Sequence, residues 1–122
     1  MHDSAIKYAK KFHEVYLSNK NNLKILDLGA LDVNGSVKDI FKDNHQYIGM
    51  DLVGGKNVDV VMDDPYKIPL DDTSIDVVLS TSCFEHMEMF WLVFNEILRV
   101  LKPNGLFYLN APSNGPYHLH PV

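Results

Sequence analysis

Five short apolar runs dominate the chain: LKILDL (23–28), YIGMDL (47–52), VDVVMD (58–63), IDVVLST (75–81) and GLFYLNA (105–111), each bounded by turn residues. Several are apolar at successive positions rather than alternate ones. Alternation marks a strand with one wet face, whereas an unbroken run marks a strand covered on both faces, as in a parallel sheet flanked by helices. Helices must supply that cover. Ala5, Tyr8, Ala9, Phe12 and Tyr16 recur at helical spacing before the first run, with residues 19–22 ending the helix. Residues 35–42 are a short helix candidate between the first two runs. Phe90, Phe94, Ile97, Leu98 and Leu101 form one helical stripe before the last run, and Lys102-Pro103-Asn104-Gly105 stops that helix and turns the chain.

Strand and helix in this order give right-handed crossovers and an α/β fold, a doubly wound, mainly parallel sheet with helices on both faces. At 122 residues and 46% hydrophobic, the chain suits one compact domain, 1–122, that buries roughly two-thirds of its unfolded surface. No repeat, low-complexity tract or linker divides it.

Charge and composition exclude several roles. The formal charge is -5 and the 11 Lys and Arg are scattered, so no basic stripe offers itself to nucleic acid. The MFWLVF run resembles a membrane-surface anchor only until its charged neighbours Glu96 and Arg99 are placed opposite the apolar stripe, and no membrane partner is expected. Cys83 is the lone cysteine, which fits a reducing compartment, and the N-terminal residues lack the pattern of a signal peptide. The expected location is cytoplasmic, and Asn34-Gly35-Ser36 is read as a chance match to a glycosylation sequon. His118 and His120 have metal-ligand spacing but no evident third ligand, so no metal is expected.

In a doubly wound sheet the ligand lies over the carboxyl ends of the strands, where strand order reverses. Gly29 follows the first strand, and Asp51 ends the second twenty-two positions later, close to the separation at which an acid meets a ribose diol. A solvated strand-end Asp is the plainer alternative. A dinucleotide fingerprint needs glycines two and five positions beyond Gly29, where this chain has Leu31 and Asn34. Asp27 and Asp32 flank the turn; two carboxylates would repel a pyrophosphate and attract an ammonium and a sulfonium. A nucleoside with a diol at one end and a cationic amino-acid tail at the other is S-adenosylmethionine. Asp32 reads equally as an Asx-turn residue. After the third run, Asp63 and Asp64 could meet an adenine amino group, although Asp64-Pro65 is also a turn signal. After the fourth, Ser80 and Thr81 stand where the methionine part would lie. His86, beside Glu85, is either a base or acceptor-orienting group or a first-turn helix residue. Cys83 lacks an evident activating partner.

The succession ILDLGALDVNGS, YIGMDLVGGKNVDVV, DDPYKIPLDDTSIDVVLSTSCFEHM and FNEILRVLKPNGLFYLNAPSNGPYH resembles the class I S-adenosylmethionine-dependent methyltransferases of the broad methyltransferase domain family. The resemblance covers nearly everything after residue 22. It implies a Rossmann-like sheet, a cofactor held by the loop around Gly29, ribose on Asp51, adenine near Asp64 and the methionine end near Ser80 and Thr81. The cofactor-binding set is thus Asp27, Gly29, Ala30, Asp51, Leu52, Asp63, Asp64, Ser80 and Thr81, with His86 as the catalytic candidate and a small molecule as acceptor. Two departures stand out. The glycine usual two positions after Gly29 is Leu31, and the family's seven strands are here about five, a truncated version of that sheet. The strand ending near Ala111 is therefore expected at a sheet edge, open to pairing with a second copy, or the chain is a piece of a longer protein. Rival readings are a non-catalytic or truncated cofactor-binding domain and a dinucleotide-dependent oxidoreductase.

Overall fold

The computed structural model describes residues 3–31, 37–80 and 88–109. The chain runs α1 (Asp3–Tyr16), β1 (Lys24–Leu28), α2 (Lys38–Phe41), β2 (Gln46–Asp51), β3 (Val60–Val61), β4 (Ile75–Ser80), α3 (Phe90–Val100) and β5 (Leu101–Leu109). The strands form one five-stranded sheet in the order β3-β2-β1-β4-β5, every pair parallel. From β1 the chain winds outward through β2 to β3, then returns to β4 on the other side of β1. The doubly wound sheet expected from the apolar runs is the observed one, and strand order reverses between β1 and β4.

Both faces of the sheet are covered, which is why the runs are unbroken. On one face Leu26, Leu28, Met50 and Val78 pack with Val93, Ile97 and Val100 of α3. On the other, Ile25, Val77 and Leu79 pack with Ala9, Leu17, Val37 and Phe41 from α1, the chain after it, and α2. Phe12 ties α1 to both neighbours, its ring 6.2 Å from that of Phe41 and 4.8 Å from that of Tyr108.

The helical faces differ in phase from the sequence expectation. In α3 the buried ladder is Val93, Ile97 and Val100, while Phe90 and Leu98 are exposed and Leu101 already pairs with Ile75 as the first residue of β5. Glu96 and Arg99 do not face open water. Arg99 donates to the carbonyls of Ile68 (2.7 Å) and Leu70 (2.9 Å) and to the Asp72 carboxylate, and Glu96 accepts from Ile68 N at 2.9 Å. An Arg99–Glu96 bond of 2.8 Å closes the clamp, which fastens the segment after β3 to α3. Tyr8 and Tyr16 of α1 are likewise exposed, its buried side being centred on Ala9.

At the sheet's ends the strands are short or irregular. β3 is two residues long, although Asp59 and Met62 on either side still donate to Gly49 O and Asp51 O, both at 2.8 Å. β5 pairs at Leu101 and again from Leu106, with Lys102 to Gly105 looped out between and Asn104 left-handed (φ 67°). Among the described residues β5 pairs with β4 alone and so forms an edge.

Candidate functional site

Parallel strands bring all their carboxyl ends to one rim, and the residues that follow β1, β2 and β4 meet there. β1 stops at Leu28 because Gly29 turns the backbone to φ 80°, a region that strains any residue with a Cβ. The turn is held by two bonds to one carbonyl: Gly29 N and Ala30 N donate to Met50 O at 2.8 and 3.1 Å. Asp51, next along β2, then takes up the loop itself. Its Oδ2 accepts from Leu31 N at 3.0 Å and its Oδ1 from Val53 N at 3.3 Å. The spacing of Gly29 and Asp51 thus serves the turn directly. An ionised carboxylate has about four acceptor positions, so roughly two remain for a ligand.

Asp27 is the more unusual acid. It lies inside the rim with 2% of its surface exposed, where Oδ2 accepts from the Tyr47 hydroxyl and buried Oδ1 has no hydrogen-bond partner. Burial pushes its carboxyl up to about 7, the Tyr47 bond opposes that rise, and the nearby charge of Asp51 adds to it. Alternation along β1 sets Asp27 on the face of Ile25, and the register puts Gly49 and Leu79 beside it. Gly49 must be glycine, because a Cβ there would collide with the carbonyl of Asn57 and press on the Cβ of Ala30. That approach seats Asn57 over the site. Its side-chain amide donates to Ala30 O at 3.0 Å and to the Tyr47 hydroxyl at 3.1 Å.

Ser80 ends β4 opposite Leu28, on the other face from Asp27, fully buried and with Oγ unpartnered. A buried polar atom left unpaired costs about 1–3 kcal/mol, so a ligand or water offering donors to Asp27 and Ser80 would relieve two such costs. The cluster carries two acids and no basic side chain among its members, which suits a cation-bearing ligand and opposes a pyrophosphate.

Of the residues expected from sequence, Asp27, Gly29, Ala30 and Asp51 form one connected cluster, with Ser80 beside it. Leu52 lies just beyond, 41% exposed, and with Val53 and Val61 makes an apolar surface next to Asp51. Asp64 is occupied in an Asx turn, its Oδ1 accepting from Tyr66 N at 2.8 Å, and Asp63 is exposed beside it. Asp32, Thr81, Cys83, His86 and the tail 112–122 lie outside the described residues. Tyr47 and Asn57 escaped sequence reading. Nothing local marks them: their part depends on the β1–β2 register and on the left-handed turn at Asn57 (φ 74°).

Residues 15–109 match the family model of the methyltransferase domain. A phthiotriol/phenolphthiotriol dimycocerosates methyltransferase of Mycobacterium tuberculosis is 35% identical over 81 residues, 64% of this chain and 26% of that protein. Among solved structures, the YcgJ protein of Bacillus subtilis superposes with a TM-score of 0.70 at 23% identity, over 88% of this chain and 50% of that one. The 1,6-didemethyltoxoflavin-N1-methyltransferase of Burkholderia thailandensis, solved with bound 1,6-didemethyltoxoflavin and S-adenosylhomocysteine, gives 0.67 at 19% identity, over 88% and 52%. The chain therefore spans about a quarter of the length of that curated relative and about half of those solved chains. With the strand order, the glycine turn and a family match over more than half its length in agreement, the chain belongs to the methyltransferase domain family.

Proposed function

We propose that the chain, acting as one domain, binds S-adenosylmethionine at the carboxyl rim and transfers its methyl group to a small-molecule acceptor. The observation that carries this reading is the buried Asp27, one oxygen tied to Tyr47 and the other without a partner, beside a glycine turn and a second acid. Burial raises the cost of the carboxylate, the Tyr47 hydroxyl offsets part of that cost, and a cationic ligand at Oδ1 would offset more of it. The S-adenosylhomocysteine bound to the Burkholderia enzyme supports the choice of nucleoside.

In this reading Asp27 faces the ammonium through Oδ1, while Asp51 accepts from the ribose hydroxyls with the positions left over from Leu31 and Val53. Leu52 supplies an apolar wall, Asp63 and Asp64 flank the adenine, and Ser80 and Thr81 adjoin the methionine chain. Bound S-adenosylmethionine supplies an electrophilic methyl on a sulfonium sulfur. With that group held at the rim, the protein's contribution would be to align an acceptor atom with the methyl in a dry site, with a base needed only where the acceptor must lose a proton. His86 serves that acceptor side. Among the described residues no helix is long and apolar enough to cross a membrane. A lone cysteine and the absence of a basic stripe support a cytoplasmic setting without nucleic acid, and the β5 edge is where a second copy would pair.

Calorimetry with S-adenosylmethionine and S-adenosylhomocysteine, followed by an acceptor screen with labelled methyl donor, tests the proposal. Binding of both with methyl transfer is expected. Binding without transfer to any acceptor would reduce the chain to a cofactor-binding domain, and binding of reduced nicotinamide dinucleotide in their place would overturn the reading.

A further inference from the structure

We propose that Tyr47 and Asn57 are positioning residues for the cofactor loop: Tyr47 orients the Asp27 carboxylate and favours its charged form, and Asn57 locks Tyr47 to the glycine turn. This rests on the cofactor reading above. The geometry is a relay. The Tyr47 hydroxyl donates to Asp27 Oδ2 and, as acceptor, receives the Asn57 amide at 3.1 Å; the same amide donates to Ala30 O at 3.0 Å. One phenol and one carboxamide thus connect the buried acid of β1, the start of β2 and the second residue of the turn. With Oδ2 bonded to Tyr47, Oδ1 is the oxygen left to accept from a ligand.

Among the described residues other influences on Asp27 are few. Asp51, at the end of β2, is unfavourable to a second negative charge, while the Asp59 carboxylate is engaged with Gly49 N at 2.8 Å. Lys38 of α2 stands over the Tyr47 ring, 5.7 Å from its centroid. β4 contributes apolar Leu79, and the half-buried His13 of α1 is turned to Phe41 and His45, 5.7 and 6.2 Å between ring centroids. The Tyr47 hydroxyl is the one donor recorded on the Asp27 carboxylate among the described residues. A hydrogen bond to the charged form lowers a carboxyl's pKa, so losing it must move the titration of Asp27 upward, which a merely packed tyrosine would not do.

The test uses Tyr47→Phe, which keeps the ring, and Asn57→Gly, which keeps a left-handed backbone accessible. The Asp27 carboxyl-carbon shift is followed by NMR against pH without ligand, and affinity for S-adenosylmethionine is measured over the same range. In Tyr47→Phe the Asp27 midpoint should rise by about one unit, with affinity at neutral pH falling roughly tenfold relative to wild type and the gap narrowing as pH passes the new midpoint. Asn57→Gly should weaken binding several-fold with a much smaller change of midpoint. An unmoved midpoint in Tyr47→Phe overturns the relay, as does a loss of affinity equal at every pH. Wild-type protein that binds neither S-adenosylmethionine nor S-adenosylhomocysteine overturns the cofactor reading instead, a failure the ligand-free titration separates from the first.

Discussion

Asp27 costs the fold free energy in its charged form, and the sign of that cost can be read as a pH dependence. Its folded pKa, about 7, lies above the ordinary 3.8, so folding favours the protonated acid. The associated stability is fully present below the unfolded value and is lost as pH rises through about 7. A shift of that size corresponds to on the order of 4 kcal/mol. Asp27→Asn, neutral at every pH, should therefore be more stable than wild type at pH 8 in the absence of ligand, and its urea midpoint should vary less between pH 5 and 8. The same substitution should abolish tight binding of S-adenosylmethionine, a trade of function for stability measurable by calorimetry on the folded mutant. Asp51→Ala, losing a charge-assisted hydroxyl interaction worth about 1.5–3 kcal/mol, should weaken binding ten- to a hundredfold. Asp51 was legible in sequence from its distance to Gly29, and Asp27 from the sign of the charge around the turn. Tyr47 was not: a tyrosine in a buried strand reads as packing until the register sets it beside an acid. His86→Ala should lower the rate of methyl transfer and leave cofactor affinity nearly unchanged; equal loss of both would make His86 structural.

Among the elements, strands were easier to read than helix faces. An unbroken apolar run needs only burial on both sides, and β1 and β4, central in the sheet, satisfy that almost residue for residue. For α3 the sequence suggested a stripe through Phe90, Phe94, Ile97, Leu98 and Leu101, but the sheet takes the ladder of Val93, Ile97 and Val100, which shares only Ile97 with it. Close approach of helix to sheet favours branched residues of moderate volume, and sequence periodicity alone cannot choose between two adjacent apolar stripes. The same rotation turns Glu96 and Arg99 onto the segment after β3. Arg99→Ala should destabilise the fold by about 2–4 kcal/mol, because two backbone carbonyls and two carboxylates lose a shared donor. Arg99→Lys should recover little of it, since an ammonium cannot reach four acceptors in a fixed fork. Chemical denaturation of both variants checks this. On β2, Gly49→Ala forces the Asn57 turn away from the strand and should cost about 1–3 kcal/mol while loosening the relay over Ala30.

At the scale of the molecule, two acids pull the stability profile in opposite directions. Glu96, held below the usual carboxylate range chiefly by its bond to Arg99, contributes stability that is present above its unfolded value of 4.5 and lost as pH falls through its folded value. Asp27 contributes in the reverse sense. The ligand-free protein should therefore be most stable in mildly acid solution, and a bound cation that favours ionised Asp27 should move the optimum upward; thermal melts across pH with and without S-adenosylmethionine check this. Among the described residues β5 is the last strand of the sheet, whereas the looped-out residues between Leu101 and Leu106 depend on pairing with β4 and left no trace in the apolar pattern. The strand order has one further effect. β1 has a neighbour on each side and two strands between it and either edge of the described sheet, so its amides should exchange with solvent only when the whole sheet opens. The glycine turn hangs from this last element to open, which links ligand release to global unfolding. Ligand at a hundred times its dissociation constant should slow deuterium uptake along β1 by about a hundredfold, while the solvent-facing amides of α1, exchanging through local fraying, keep their ligand-free rates.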